Sequence, residues 1–405
     1  MNPPTMNDAI ALVGHPYAPI GRGEDVRCTF RALRSAGVTP ALLDIYGLNE
    51  PEPELSEELG PWLDTTGRRI NVFHVNGDEI EQALATLDGR LPAAYNIVYP
   101  AWELARYPRE WARQLERFDE VWAPSRFIEA ALRTAVSRPV VYMPLASEVM
   151  LSGFLGRRWF GIPESEYAFL FFFDVRSYAT RKNPDGVVAA FRQLLALRPA
   201  APAVLVLKVN GAELAPQAME ELRQRIADLG DRVVLIEGTL SDNAVKNLVR
   251  CCDCFVSLHR SEGFGRGLIE AMYLGKPVIG TAWSGNTDFM DRDNSLPVDF
   301  RLQPLAEGDY PHWHGQAWAD PDTGQAARMM AALVDDPQSG RELGRKAAVA
   351  VRRGFSYRAA GVRYLDRLRA IGRETAGAAA GPTQPSGPGQ APAAAACGAS
   401  IRHSA

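Results

Sequence analysis

The chain has 405 residues, which predicts two or three domains, and its 46% hydrophobic and 23% charged residues are typical of a soluble globular protein. The net charge of −4 gives no overall attraction to nucleic acid, so we expect no nucleic-acid partner. The N-terminus lacks the basic and apolar stretches of a signal peptide, and no apolar run is long enough to span a membrane. A cytoplasmic location is therefore expected.

No metal site is expected from the distribution of ligand-forming side chains. Three of the five cysteines cluster at 251–254 without partners at metal-ligand spacing, and we interpret them as small buried side chains in a reducing compartment. His312 and His314 also lack a carboxylate or cysteine nearby. The acidic triplet at 291–293 follows a predicted helix rather than a strand, which favours a turn.

Short apolar strands alternate with helices through the first 150 residues, which indicates a doubly wound α/β unit. The strands are predicted at 9–14, 40–45, 70–75, 95–99, 120–123 and 140–143. A glycine turn joins the first strand to a helix predicted over 24–35, and a Pro-, Glu- and Gly-rich surface segment covers 49–68. Only Gly21 and Gly23 match the dinucleotide-binding fingerprint, so a nicotinamide oxidoreductase is disfavoured.

A helix predicted at 109–118 belongs to a segment with arginines at three- and four-residue steps, namely Arg106, Arg109, Arg113 and Arg117. One interpretation is a basic, aromatic-edged face for a lipid surface. The other, which we favour, is a solvated helix face whose charge is balanced by Glu110 and Glu116.

After a lapse of periodicity at 144–161, the alternation resumes with a strongly apolar strand at 167–173. Arg181 and Lys182 lie just before a helix predicted at 184–197, where two cations oppose the helix dipole and a bound polyanion would offset that cost. Strands are predicted at 204–209, 233–236, 254–258, 278–280 and 295–298, and helices at 213–229, 241–250, 267–274, 323–334, 339–351 and 356–371. An aromatic loop is predicted up to about 319.

The most informative stretch is 253–290, which is predicted to form a strand, a glycine turn, a helix and a second strand. Gly263 and Gly265 flank Phe264 in a turn that lets the backbone approach a ligand. The helix start offers free N–H groups and a positive dipole end, which suit a diphosphate. Two carboxylates frame the turn: Glu262 just before it and Glu270, with seven residues between them.

This run, Glu, seven residues, Glu, with Gly-Phe-Gly after the first Glu and Gly-Lys-Pro-Val-Ile after the helix, resembles the donor-binding signature of retaining GT-B glycosyltransferases of family four, also called group 1. The resemblance implies two doubly wound Rossmann-like domains facing a central cleft, with a C-terminal helix crossing back. On that basis we expect an acceptor domain at 1–150, a nucleotide-sugar donor domain at 151–355, the crossover helix at 356–373, and a disordered Ala/Pro/Gly tail at 374–405.

The resemblance also implies roles for residues of the donor domain. Lys182, with Arg181 or Arg176, would neutralise the leaving diphosphate, and Glu262 would orient the sugar. Glu270 would hold the ribose hydroxyls. The remaining donor contacts implied are Gly263, Phe264, Gly265, Thr239, Leu240, Asn286 and Thr287.

In the first half the resemblance implies that the turn at Gly21, Arg22 and Gly23 touches donor phosphates or acceptor, while a plain tight turn is an equal alternative. Many relatives carry a cleft histidine after the fourth strand, where this chain has Trp102 and Glu103 instead. These two residues and His74 are assigned to the acceptor side, although a lone histidine in an apolar strand is more often packed.

The expected activity is that of a retaining hexosyltransferase that uses a nucleotide-diphosphate sugar as co-substrate and needs neither cofactor nor metal. By resemblance the acceptor is a hydroxyl of a glycan or lipid-linked glycan in bacterial surface polysaccharide or lipopolysaccharide assembly. A peripheral contact with the inner face of the membrane is a further expectation. The alternative is a non-catalytic partner protein that binds a nucleotide sugar.

Overall fold

Two parallel six-stranded sheets covered by helices form the body of the computed structural model, which describes residues 9–48 and 50–379. The first half contains β1 (Ile10–Gly14), α1 (Gly21–Ser35), β2 (Ala41–Asp44), α2 (Pro53–Leu59), β3 (Ile70–Phe73), α3 (Ile80–Thr86), β4 (Tyr95–Val98), α4 (Arg109–Leu115), β5 (Glu120–Ala123), α5 (Arg126–Arg133) and β6 (Val140–Tyr142). The strands lie in the order β2-β1-β3-β4-β5-β6, all parallel.

The second half repeats this architecture around a more apolar sheet. It contains β7 (Tyr167–Asp174), α6 (Ala179–Lys182), α7 (Pro184–Leu197), β8 (Ala203–Asn210), α8 (Pro216–Ile226), β9 (Val233–Glu237), α9 (Asp242–Cys251), β10 (Cys254–Ser257), α10 (Arg266–Tyr273), β11 (Val278–Thr281), β12 (Leu296–Val298), β13 (Phe300–Pro304), β14 (Ala317–Pro321), α11 (Thr323–Asp335), α12 (Pro337–Phe355) and α13 (Tyr357–Ala379). The central strand β7 is almost wholly apolar because helices cover both faces of a parallel sheet.

The strand order of the second sheet, β12-β11-β10-β7-β8-β9, places β7 beside β10 although many residues separate them in sequence. The direction of winding reverses between these two strands, and ligands of doubly wound sheets bind beyond the carboxyl ends of the strands at such a switch point. The loops that follow β7 and β10 therefore meet there.

The last helix, α13, returns to the first half and packs on α1. A side chain at Gly361 would clash with the Ala32 carbonyl oxygen, so the two helices approach closely at this glycine. The Tyr364 hydroxyl donates to the Pro144 carbonyl oxygen at 3.1 Å and accepts from the Ala146 N–H. This confirms the predicted crossover helix.

Several local predictions differ from the structure. The helix expected at 213–229 ends as α8 at Ile226, because Gly230 has φ 51° and ψ −130° and breaks the helical path. The expected loop up to residue 319 is wrong, since β13 and β14 pair there as an antiparallel hairpin. The surface segment at 49–68 contains α2.

The end of the chain is only partly described. Helix α13 continues to Ala379, into the segment predicted to be a disordered tail. The rest of that predicted tail, including Cys397, lies outside the described residues. Among the helices within the described ranges, none has the length and apolar character needed to cross a bilayer.

Candidate active site

Two cations follow β7 on a short, tightly held loop. Arg181 and Lys182 end the short helix α6 and lie just before α7, as predicted. The following Asn183 has φ 57°, and its side chain accepts from the Gly186 N–H at 3.1 Å, which caps α7. The same side chain donates to the Leu258 carbonyl oxygen at 2.8 Å, so it ties the loop after β7 to the end of β10.

Arg181 is the buried member of the cation pair. Its side chain is 4% exposed and donates to the Ser261 carbonyl oxygen at 2.9 Å and to Glu262 Oε2 at 3.3 Å. Burial alone would lower the pKa of the Arg181 guanidinium, but the charges of Glu103 and Glu262 raise it above its usual value. Arg181 is therefore a permanent positive charge beside the glycine turn.

Lys182 contacts the same carboxylate, with its Nζ 2.5 Å from Glu262 Oε1. Burial raises the pKa of Glu262, but the charges of Lys182 and Arg181 outweigh it and hold the pKa at about 2. Burial lowers the pKa of Lys182 in spite of the Glu262 charge. Glu262 is thus an anion at neutral pH, in contact with a lysine whose side chain is 20% exposed and can exchange partners.

The glycine turn presents backbone, not side chains, to the site. Phe264 is 6% exposed and packs on Phe289 at a ring separation of 5.5 Å. Gly265 has φ 95° and occupies the N-cap position before α10 without a side-chain cap, which leaves the first N–H groups of the helix available to an anion. A side chain at Gly285 would clash with the Gly263 carbonyl oxygen, so the backbone at Gly285 packs directly against the glycine turn.

Glu270 faces a different environment from Glu262. Burial raises its pKa to about 7, against the opposing charges of Arg266 and Lys246 and with the help of Glu24. Among the described residues, no side chain or N–H group donates a hydrogen bond to its carboxylate. A half-buried carboxyl group in this state is stabilised by a ligand that brings hydroxyl donors.

The other predicted donor contacts occupy turns at the carboxyl edge of the second sheet. Thr239 is exposed and Leu240 half-buried, in the turn after β9. Asn286 is fully buried, and its amide donates to the Thr281 carbonyl oxygen at 2.8 Å. The Thr287 hydroxyl donates to Ser284 at 2.7 Å. The side-chain amide of Asn286 is thus engaged with its own turn, and its assignment to the donor stays a prediction.

The first-half candidates lie in two places. Gly21 and Gly23 form the first turn of α1, which begins three residues before the predicted start at 24, and a side chain at Gly23 would clash with the Ala18 carbonyl oxygen. His74 follows β3 and is fully buried, 5.2 Å from the Tyr99 ring. Burial, and then the positive charges of Arg22 and Arg266, lower the pKa of His74 well below its usual value, so the ring is neutral.

Trp102 and Glu103, which follow β4, separate into different roles. Trp102 is 1% exposed, and its indole packs on Tyr310 at 5.7 Å and donates to the Arg106 carbonyl oxygen. This places the indole in the core, while the Trp102 backbone carbonyl faces Gly263. The Glu103 carboxylate accepts from the Tyr310 hydroxyl and lies 3.9 Å from Arg181 Nη2. Of the two, Glu103 is the one whose side chain reaches the cation pair.

Two features of the site were missed by the sequence interpretation. Arg266, directly after the glycine turn, pairs with Asp25 of α1 in the other half. His259 is fully buried near Glu262, Lys182 and Arg181, and burial lowers its pKa to about 4. The sequence did contain a signal for Arg266. A cation in the first turn of a helix opposes the helix dipole, and the same reasoning identified Lys182 as a candidate.

Loops after the strands of both sheets meet at these contacts, so the carboxyl edges of the two sheets face each other across the site. Two doubly wound domains opposed in this way, with a last helix crossing back, define the GT-B class of glycosyltransferase folds.

Comparisons with known proteins agree. Residues 160–295 match the family model described as glycosyl transferases group 1. The chain is 26% identical to the lipopolysaccharide core biosynthesis mannosyltransferase of Rhizobium meliloti (strain 1021) over 61% of this chain and 74% of that protein. It is 32% identical to the mannosylfructose-phosphate synthase of Agrobacterium fabrum, over 26% of this chain and 24% of that protein.

Solved structures share the fold at low identity. HepE of Anabaena, in complex with UDP and glucose, superposes with a TM-score of 0.67 at 14% identity and covers 89% of this chain and 99% of that one. Sucrose-phosphate synthase of Thermosynechococcus elongatus gives a TM-score of 0.64 at 19% identity, over 91% and 100% of the two chains. Residues 160–295 are thus similar to the group 1 glycosyltransferases, and the chain as a whole has the GT-B fold.

Proposed function

We propose that the protein transfers a hexose from a nucleotide-diphosphate sugar to a hydroxyl of a glycan or lipid-linked glycan, with retention and without a metal ion. The acceptor oxygen bonds to the anomeric carbon on the face that the diphosphate leaves. The bond from that carbon to the diphosphate oxygen breaks, and the acceptor proton passes to the leaving diphosphate. The nucleotide sugar is a co-substrate, and no cofactor takes part.

One observation carries this proposal: Lys182 and Arg181 converge with Glu262 beside the uncapped start of α10. Negative charge accumulates on the diphosphate as it leaves, and preorganised cations and N–H groups stabilise that charge. In the structure the Lys182 ammonium contacts Glu262, and a phosphate oxygen would take over that contact. The Glu262 carboxylate would then accept from hydroxyl groups of the sugar.

The metal-free part of the proposal rests on this pair of cations. Within residues 9–48 and 50–379, no group of three His, Cys, Asp or Glu side chains is arranged to hold a metal ion. Arg181 and Lys182 supply two positive charges where a divalent ion would otherwise be needed to neutralise the diphosphate.

The acceptor is proposed from a relative of the chain, and the membrane contact from a groove on its first half. The Rhizobium relative is named for lipopolysaccharide core synthesis, which supports a surface glycan acceptor. A groove of about 440 Å³ on the first half is lined by three arginines and one glutamate, namely Arg106, Arg109, Arg113 and Glu116, beside Tyr107. Arginine side chains attract anionic headgroups, so this groove supports a peripheral contact with the cytoplasmic face of the membrane.

The test is transfer from a panel of nucleotide sugars, first ranked by the rise in melting temperature each produces. The best donor is then assayed with an extract of surface glycan, with and without EDTA, and the anomeric configuration of the product is read by NMR. Retained configuration and an EDTA-insensitive rate are expected. Inversion, or a rate lost to EDTA and restored by magnesium, would overturn the corresponding part. Donor binding without transfer or hydrolysis would instead support a non-catalytic binding protein.

A further inference from the structure

The geometry points to Arg266 and Asp25 as a positioning pair: an ion pair between the two halves that sets the glycine turn in register with the acceptor side. This inference rests on the proposed function, since it assigns a step that depends on both halves of the site. Neither residue touches the reacting atoms in this assignment, and both act through the turn at 263–265.

The pair is direct and nearly enclosed. Arg266 is the first residue of α10, immediately after Gly265, and its Nη2 contacts Asp25 Oδ1. The two side chains are 17% and 8% exposed. The other carboxylate oxygen, Asp25 Oδ2, accepts from Arg22 Nη1 at 2.8 Å. Asp25 therefore joins a guanidinium of its own half to one from the opposite half.

Among the described residues, every hydrogen bond and ion pair of the Arg266 guanidinium lies in the first half of the chain. Besides Asp25, its Nη1 reaches the Ala146 carbonyl oxygen at 3.4 Å and the Cys28 sulfur at 3.5 Å. Its charge also acts on Glu24, on the same helix as Asp25, and on Glu270 of its own helix. A residue of the donor turn is thus held by groups of the acceptor half.

Local stability does not explain this arrangement. A cation in the first turn of α10 opposes the helix dipole, which is unfavourable. Burying an ion pair also removes two charges from water, a cost that the attraction between them often fails to exceed. The ion pair fixes the two halves relative to each other. Sugar transfer requires this, because the donor binds to one half and the acceptor to the other.

The consequence for the reaction is specific. The N–H groups of the turn, Lys182 and Glu270 all belong to the second half, so nucleotide binding does not need the pair. Alignment of the bound sugar with the acceptor does need it, and a misplacement of about 1 Å can cost about a hundredfold in rate. Loss of the pair should therefore lower kcat and leave nucleotide affinity nearly intact.

The test is a double-mutant cycle of Asp25→Asn and Arg266→Gln in the full chain, with transfer kcat and the Kd of the nucleoside diphosphate measured for each variant. Each single variant should lose about tenfold to a hundredfold in kcat, with Kd changed less than threefold. The double variant should lose no more than the worse single one, because both remove the same interaction. Arg266→Lys, which keeps the charge, should recover part of the rate.

A matched control is Arg198→Gln, which breaks an exposed ion pair with Asp335 inside the second half, 2.9 Å long, and should leave kcat unchanged. Small-angle scattering gives a second readout: the Arg266→Gln protein should have a larger radius of gyration than the wild type. Additive losses in kcat, unchanged kcat, or an equal loss of nucleotide affinity would each overturn the inference.

Failure of the proposed function looks different. If the wild type transfers no sugar from any donor, that function is rejected, and scattering alone then decides the inference. An unchanged radius of gyration in both single variants would reject the positioning pair. If Arg266→Gln does not fold, the Arg266→Lys and Asp25→Asn proteins carry the same comparison.

Discussion

Two substitutions, Lys182→Ala and Glu262→Gln, should affect nucleotide affinity differently and so test the role of Lys182. Its ammonium contacts Glu262 at 2.5 Å, and both side chains are largely withdrawn from water. A diphosphate must therefore compete with Glu262 for this lysine. Glu262→Gln removes the competitor, and Lys182→Ala removes the group for which they compete.

The size of each effect follows from the strength of a charged hydrogen bond, about 1.5–3 kcal/mol. Lys182→Ala should weaken the binding of a nucleoside diphosphate by roughly 10- to 100-fold, since about 1.4 kcal/mol corresponds to a factor of ten. Glu262→Gln should leave the affinity unchanged or raise it by up to about tenfold, while sugar transfer falls because the carboxylate no longer orients the donor.

Isothermal titration with UDP and GDP measures both affinities, and a transfer assay measures the rates. Thermal unfolding of each variant provides the control, because removing one member of a buried ion pair can destabilise the fold, although Arg181 still compensates Glu262 in the Lys182→Ala protein. Equal weakening of nucleotide binding by the two substitutions in folded protein would show that Glu262 is a direct ligand and not a competitor.

Two further predictions concern Glu270 and Gly263. The folded-state pKa of Glu270, about 7, lies above its ordinary value of 4.5, so the free energy of unfolding falls as the pH rises from 4.5 through 7. Glu270→Gln should therefore stabilise the protein by about 1–3 kcal/mol at pH 8 and leave its stability unchanged below pH 4.5. The same substitution should weaken nucleotide binding. The exposed Glu57→Gln is the control, and equal melting temperatures at pH 8 would contradict the burial argument. Gly263→Ala should push the turn off the Trp102 carbonyl oxygen and abolish transfer, as measured by rate and scattering; a fully active, equally compact variant would refute the close approach.

Much of the site could be predicted from the sequence because its parts are local or follow from strand order. The alternation of apolar strands and helices indicates parallel sheets, and the glycine turn, Glu262 and Glu270 lie within one short stretch. Lys182 is distant in sequence, but it follows β7, the neighbour of β10 in a doubly wound sheet. Topology alone then brings it to the turn.

Contacts between the two halves could not be predicted in the same way. The Arg266–Asp25 pair and the different orientations of Trp102 and Glu103 depend on how one sheet faces the other, which no periodicity encodes. The β13–β14 hairpin was missed because its exposed positions break the apolar alternation that marks a strand. The burial that raises the pKa of Glu270 likewise comes from the packed surroundings rather than from its own helix.

The most direct measurement is a crystal structure of the full chain with a nucleoside diphosphate bound. Phosphate oxygens should lie within hydrogen-bond distance of Lys182 Nζ and of the N–H groups of residues 263–266, with the ribose hydroxyls on Glu270. A nucleotide bound elsewhere, with Lys182 still on Glu262 and the turn empty, would contradict this prediction.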